Sequence, residues 1–304
     1  MNLLKAKQRI INSRNKLINR ITIADIIIMV IITLLGLTCI IPFVHIAAKS
    51  ISSNTAVLSQ SVYLIPKEIN FDAYKSIFKD GQMVHSMIYT IVLTVIFTVL
   101  GMIVTICAAY PLSRTRLKGR TFFSFVFMFT YLFGAGLIPE YLLLKNYNLL
   151  NTMWALILPL IFSPYNMLIM KTYLQENIPI SLEEAAVLDG ATDFQILFKI
   201  VLPLSKPIIA TLSLFYAVGR WNAYADAKYY ITDRALQPLQ YLLSNMILST
   251  QAASVSLMEG AEVATTPEVY QAAMVMFATL PIICIYPFVQ KYFVKGVMIG
   301  AIKE

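Results

Sequence analysis

The sequence predicts an all-α membrane protein with six transmembrane helices, and three observations carry that reading. Hydrophobic residues make up 58% of the 304-residue chain and charged ones only 13%, about half the charged share of a soluble domain. Apolar runs long enough to cross a bilayer recur along the chain, a spanning helix needing about 20 such residues. Lys and Arg collect on one side of those runs, as topology requires. On the assignment below, sixteen of the 24 Lys and Arg fall on the side of both termini. The other eight are spread over longer loops, which weakens their influence. The net charge of +8 is therefore read as topology rather than as a nucleic-acid footprint.

Residues 1–20 form a basic arm with Lys5, Lys7, Arg9, Arg14, Lys16 and Arg20 and no acid, expected in the cytoplasm. The apolar run 21–46 is too long for a signal-peptide core and is expected to stay as the first span, with Asp25 near its inner end. Residues 47–82 form an outer loop in which 70–78 reads as a short amphipathic surface helix. The second span covers about 85–112. Arg114, Arg116, Lys118 and Arg120 then form a compact inner loop with no acid. A cluster that tight between two spans has no room to act as a nucleic-acid groove. The third span covers about 121–144, and Gly134, Gly136 and Pro139 are expected to bend its outer half. The fourth covers about 153–173, with Pro159 and Pro164 inside it. Broken helices at membrane depth survive only where protein or water covers the freed backbone, so these two spans are candidate walls of a path. The fifth span covers about 204–225. An outer segment, 226–269, follows, with a predicted surface helix at 239–243 and the acids Glu259, Glu262 and Glu268. The sixth covers about 270–289; Lys291, Lys295 and Lys303 mark its cytoplasmic end, with 293–304 expected as a cytoplasmic tail. Cys39, Cys107 and Cys284 have no metal or disulfide spacing and are read as small core residues.

The connection 179–207 between the fourth and fifth spans is organised by its punctuation. Ser181 with Glu184, and Thr192 with Gln195, have capping-box spacing. Gly190 ends the first helix, since a left-handed terminal residue suits glycine. A second helix is expected from Asp193 towards Ile200. Leu202 precedes Pro203, which disfavours further helix, and Pro207 falls early in the next helix. Glu184-Ala185-Ala186, three residues, Gly190, nine residues, then Ile200-x-Leu202-Pro203: this spacing resembles the EAA loop of ABC-importer permeases. The stretches CAAYPLSR, FGAGLIPEYLLLKNYNLLNT and GRWNAYADAKYY resemble the carbohydrate, maltose-type branch of that family, and within it the lipo-oligosaccharide and polysaccharide uptake permeases.

The resemblance implies a type I ABC importer permease fold in a bacterial cell membrane, with both termini cytoplasmic. It implies a second homologous permease, two ATPase copies, an extracytoplasmic solute-binding protein and a carbohydrate cargo. It also implies that the helix 182–189 docks in an ATPase cleft. Ala185 and Ala186 would allow close approach, and Glu183 or Asp189 would pair with basic groups there. Glu184 has two open readings, capping partner or docking group. Ile200, Leu202 and Pro203 complete the coupling set.

No phosphate-binding Gly-x-x-x-x-Gly-Lys-Ser/Thr loop occurs, so this chain is expected to be a transport subunit and no enzyme. No cofactor is expected on it, ATP and Mg being bound by the partner. His45 and His85 stand near outer span ends without a nucleophile beside them. Candidates for the cargo path are Asn166, Trp221, Asn222, Tyr216, Tyr224, Tyr131 and Glu140. For the aromatics the competing reading is an interfacial belt; an amide such as Asn166 inside a span should face protein or a cavity. A permease for peptide or other non-sugar cargo is the alternative. An ion-coupled carrier, which would place ionisable groups at mid-depth, is a more distant one.

Overall fold

The computed structural model describes residues 23–256 and 266–301, with side chains described to residue 249 and from 266 to 287 except Tyr286. The basic arm, Glu259, Glu262 and Lys303 lie outside those residues. Every regular element among them is helical. Three helices are long and apolar enough to cross a membrane, and three bent pairs bring the total to six.

The first span is α1 (Ile23–Ser50). Its first turns are exposed on all sides, and its last bury Ala48 and Ser50. A short helix α2 (Asn54–Leu58) and the surface helix α3 (Asp72–Asp80) follow. The amphipathic expectation for α3 holds: Ala73 and Ile77 are buried, and Asn70 Oδ1 accepts the Asp72 N–H at 2.7 Å. Gly81, at φ 71°, ends α3 and opens α4 (Gln82–Ser113), the central span.

The third span breaks rather than bends. α5 (Arg120–Leu132) and α6 (Leu137–Asn146) meet at 108°. Residues 133–136 leave the helical conformation, and Gly136 sits at φ 87°, ψ 168°, a region side chains avoid. The fourth span starts as 3₁₀ turns, Met153–Leu160, and turns by 50° into α7 (Pro164–Asn177). Ser163 caps α7 by accepting the Asn166 N–H. Next come α8 (Ile180–Leu188) and α9 (Asp193–Leu204), the latter at 80° to the fifth span α10 (Lys206–Asn222). After α11 (Ala225–Tyr230), α12 (Leu239–Ser256) differs from the expected surface helix. Leu239, Leu242 and Leu243 are buried with Trp221 and Val269, because three apolar residues at i, i+3 and i+4 need a partner face. The sixth span is α13 (Pro267–Ala301).

Two apolar cores organise the helices. One joins Leu93, Leu156, Met167 and Leu212 to Ile196 and Val201 of α9. The other packs Ala48, Ile77, Met83 and Trp221 with Val269 and Phe277 at the opposite face. The Tyr216 ring of α10 packs directly on α4: a Cβ on Gly101 would lie 2.9 Å from Tyr216 Cε1. The cysteines do not enter these cores. All three are free and exposed, on helix faces the chain leaves uncovered, where a small apolar side chain needs no partner. His45 and His85 are tied to backbone carbonyls, of Tyr63 at 2.6 Å and Ala235 at 2.9 Å.

Candidate functional site: the loop between the fourth and fifth spans

The α8–α9 hairpin is built by its own turn chemistry. The expected box between Ser181 and Glu184 does not form. Pro179 takes the N-cap position and Ser181 lies inside the helix, so no side chain caps it. This leaves Glu184 exposed. The other end follows expectation. Gly190 takes φ 81°, its N–H donates to Val187 O at 3.0 Å, and the Ala191 N–H donates to Ala186 O at 2.9 Å. That is a Schellman ending, with the glycine where a left-handed residue is required. Thr192 then opens α9 with a reciprocal box: its N–H donates to Gln195 Oε1 at 2.9 Å, and the Gln195 N–H to Thr192 Oγ1 at 3.4 Å.

Pro203 does not stop α9. The helix widens into a π turn over Leu197–Val201, where the Leu202 N–H donates to Leu197 O. A proline ring in an α-helix clashes with the carbonyl four residues earlier; the wider turn moves that carbonyl aside. The break falls at Ser205, whose N–H donates to Val201 O at 2.9 Å, and Pro207 lies in the first turn of α10.

The loop is rooted on one side and open on the other. Ile196 and Val201 are fully buried in the main core. Leu188, Phe194 and Phe198 are 88%, 74% and 63% exposed. Ala185, Asp189 and Pro203 are also exposed, whereas Ala186 is buried and Ile200 and Leu202 half-buried. Two grooves of about 460 and 450 Å³ flank the hairpin. Phe194 and Asp193 line one, Val187 and Leu188 the other, and Arg114 and Arg116 line both.

These arginines corrected one expectation. Glu183 does not point outward to a partner; its carboxylate is buried against Arg114, Nη2 to Oε1 at 2.5 Å. The two atoms are close but off the hydrogen-bond axis, so the contact is ionic. Arg114 also donates to Leu174 O at 3.4 Å and lies 5.4 Å from the Tyr110 ring centre. Arg116 meets Asp193 at 2.7 Å in an exposed pair. That hydrogen bond raises the Arg116 pKa further above its usual value.

Residues 87–299 match the family model described as "Binding-protein-dependent transport system inner membrane component". The chain belongs to this family. It is 40% identical to the "Polygalacturonan/rhamnogalacturonan transport system permease protein YtcP" of Bacillus subtilis, over 92% of this chain and 98% of that one. It is 39% identical to "Protein LplC" of the same organism, over 88% and 90%. A solved structure, "Crystal structure of a bacterial ABC transporter involved in the import of the acidic polysaccharide alginate", aligns with a TM-score of 0.81 and 34% identity. It covers 89% of this chain and 96% of that chain. The permease therefore has the type I ABC importer fold and is a multi-pass membrane subunit.

The permease distributes the path candidates unevenly. Tyr216 is locked in place: its hydroxyl pairs with Thr105 Oγ1 at 2.7 Å and accepts the Ser163 N–H at 3.2 Å, and its ring meets Phe97 edge-on at 5.8 Å. Trp221 is buried in the second core. Both therefore brace the helices in this structure. Asn166 is buried in the first turn of α7. Asn222 is exposed and its amide donates to Val218 O at 3.0 Å. Tyr224 and Tyr131 are exposed, and Tyr131 stacks on Tyr165 at 6.3 Å. Glu140 bonds Tyr230, whose pKa burial first, then that carboxylate, push up to about 12.

Sequence reasoning missed Arg114, Leu188, Phe194 and Phe198, and also Arg220. Arg220 is fully buried, meets both Asp226 oxygens at 2.5 and 3.1 Å and donates to Leu156 O at 2.9 Å. A signal existed for the phenylalanines: they stand four apart on a short capped helix, beside Asp193, Gln195 and Lys199 and away from the Ile196 and Ile200 positions, an apolar pair in a connection.

Proposed function

We propose that this permease is one of two related subunits forming the pore of an ATP-driven, binding-protein-dependent importer of oligosaccharide or polysaccharide fragments. The α8–α9 hairpin is its dock for the ATPase and faces the cytoplasm, with both termini on that side. Leu188, Phe194 and Phe198 enter the ATPase cleft, Ala185 permits close approach, and Asp189 and Glu184 meet basic groups at its rim. ATP and Mg are held by the partner, and a solute-binding protein delivers cargo at the opposite face. Asn166, Tyr131, Asn222, Tyr224 and Glu140 remain the candidates for the cargo path.

The observation that carries the reading is the exposed apolar triad on a hairpin whose turn is fixed by Gly190 and whose base is sunk in the core. Apolar side chains this exposed on a connection outside the spans call for a partner. The relatives' printed cargoes, polygalacturonan, rhamnogalacturonan and alginate, support an acidic glycan. Phe194→Asp with Leu188→Asp is expected to leave the permease pair assembled and to strip the ATPase from it during purification in mild detergent. Retention of the ATPase would remove the hairpin as the dock. Uptake of labelled oligogalacturonides, with a peptide of similar mass as counter-probe, decides the cargo class.

A further inference from the structure

We propose that Arg114 and Glu183 are positioning residues forming a strut that carries displacement of the docked loop into the second and fourth spans. The helix α8 has two buried residues, Glu183 and Ala186, three apart on one face. Ala186 offers a single methyl group. Among the described residues, Glu183 is thus the one charged side chain by which α8 is fastened to the body of the permease.

The other end of the strut is held by two spans at once. Arg114 follows α4 directly, and its N–H donates to Pro111 O at 3.1 Å, fixing the backbone to that helix. Its guanidinium lies over Tyr110 of α4 and donates to Leu174 O of α7. With side chains 4% and 8% exposed, the pair has little room to swing. A buried ion pair adds little net stability over an apolar pair of the same volume. What it supplies here is a link of fixed length and direction. The groove lined by Val187 and Leu188 leaves that flank of α8 open, so a push on α8 reaches α4 and α7 through this contact and the buried Ala186 methyl.

The inference rests on the hairpin being the ATPase dock, and the test separates the two. In the assembled complex, Arg114→Gln with Glu183→Gln removes both charges without leaving one buried alone. Two quantities are read: ATPase retained on purification, and the labelling rate of Cys107 by a maleimide, followed by mass spectrometry of its peptide. Cys107 lies on α4 and lines the groove beside Arg114. In the unaltered complex, ATP with vanadate is expected to change that rate relative to ADP. Coupling between distant sites is worth about fivefold or more, and a change of that order is expected. In the double glutamine variant the ATPase stays attached and the change is lost. Arg114→Lys, which keeps the charge, is expected to keep most of the change.

A nucleotide-dependent rate that survives in the double variant would overturn the strut while leaving the dock intact. So would an unaltered complex that labels equally in both nucleotide states, or an Arg114→Lys variant that behaves like the double glutamine. Loss of the ATPase from the double variant would also overturn it, by assigning the pair to shaping the dock.

Discussion

Two buried arginines stand at opposite ends of the permease, and they are held differently. Arg220 is enclosed: its carboxylate partner Asp226 lies six residues on, in the first turn of α11, both terminal nitrogens are engaged, and Phe97 lies 5.8 Å away. Arg114 joins separate parts of the chain, with α8 on one side, α7 on the other and an open groove to each flank. The first closes a corner where α10 ends. The second bridges a hairpin to the body. Burial of charge serves to fix one face and to link the other.

The largest effect is expected at the enclosed end. Arg220→Met strands Asp226 in a site where its side chain is 11% exposed, and breaking a buried pair costs about 3–5 kcal/mol. The thermal midpoint of the complex in detergent should fall accordingly. Arg220→Met with Asp226→Leu should recover most of that loss, since apolar residues can replace a buried pair. Recovery of both stability and coupling by the same replacement at Arg114 and Glu183 would erase the contrast between the two ends.

The region between the arginines is a packed brace, and it sets the second effect. Tyr216 is pinned by Thr105 and Ser163, so its ring cannot yield to a larger residue at Gly101, where a Cβ would stand 2.9 Å from Cε1 and 3.2 Å from Ile161 O. Gly101→Val should destabilise by about 1–3 kcal/mol through overpacking, read as a lower thermal midpoint. A variant as stable as the parent would mean that α4 and α10 can separate, and that the brace does not connect the two faces.

At the hairpin the expected cost is smaller and its consequence is different. Gly190 sits at φ 81° with open space around it, so Gly190→Val meets backbone strain of about 1–2 kcal/mol and no clash. That strain misaims α9 relative to α8. Uptake and ATPase attachment should fall much more than thermal stability does. Unchanged transport would take the hairpin out of the mechanism.

How much of this was legible in the sequence depended on the range of the interaction. The six spans, the α3 surface helix, the glycine ending of α8 and the Thr192–Gln195 box are set by residues within a few positions of one another. They were readable. The Ser181–Glu184 box had the right spacing, yet Pro179 started the helix two residues earlier, and spacing alone does not choose between overlapping caps. Pro203 reads as a stop until the π turn is seen to move the obstructing carbonyl. Glu183 looked like an outward group because nothing local shows that Arg114, in the preceding inner connection, reaches it. Tyr216 and Trp221 looked like path aromatics for the same reason, their partners being on other helices.

The smallest expected effect sharpens the contrast most directly, because it keeps the chemistry and changes only the exposure. Arg116 and Asp193 form the same kind of pair on the same hairpin as Arg114 and Glu183, with side chains 53% and 68% exposed. Water screens such a pair, and its worth is below about 1 kcal/mol. Arg116→Ala should leave the thermal midpoint nearly unchanged and the ATPase attached. What little the pair contributes should disappear at about 1 M salt, where the screening length shrinks to about 3 Å. The Arg114 pair, closed off from solvent, should keep its effect on Cys107 labelling at that salt concentration. Should Arg116→Ala abolish the nucleotide response as fully as the buried double variant, exposure would not be what distinguishes the two pairs, and both arginines would have to be counted in the link between hairpin and spans.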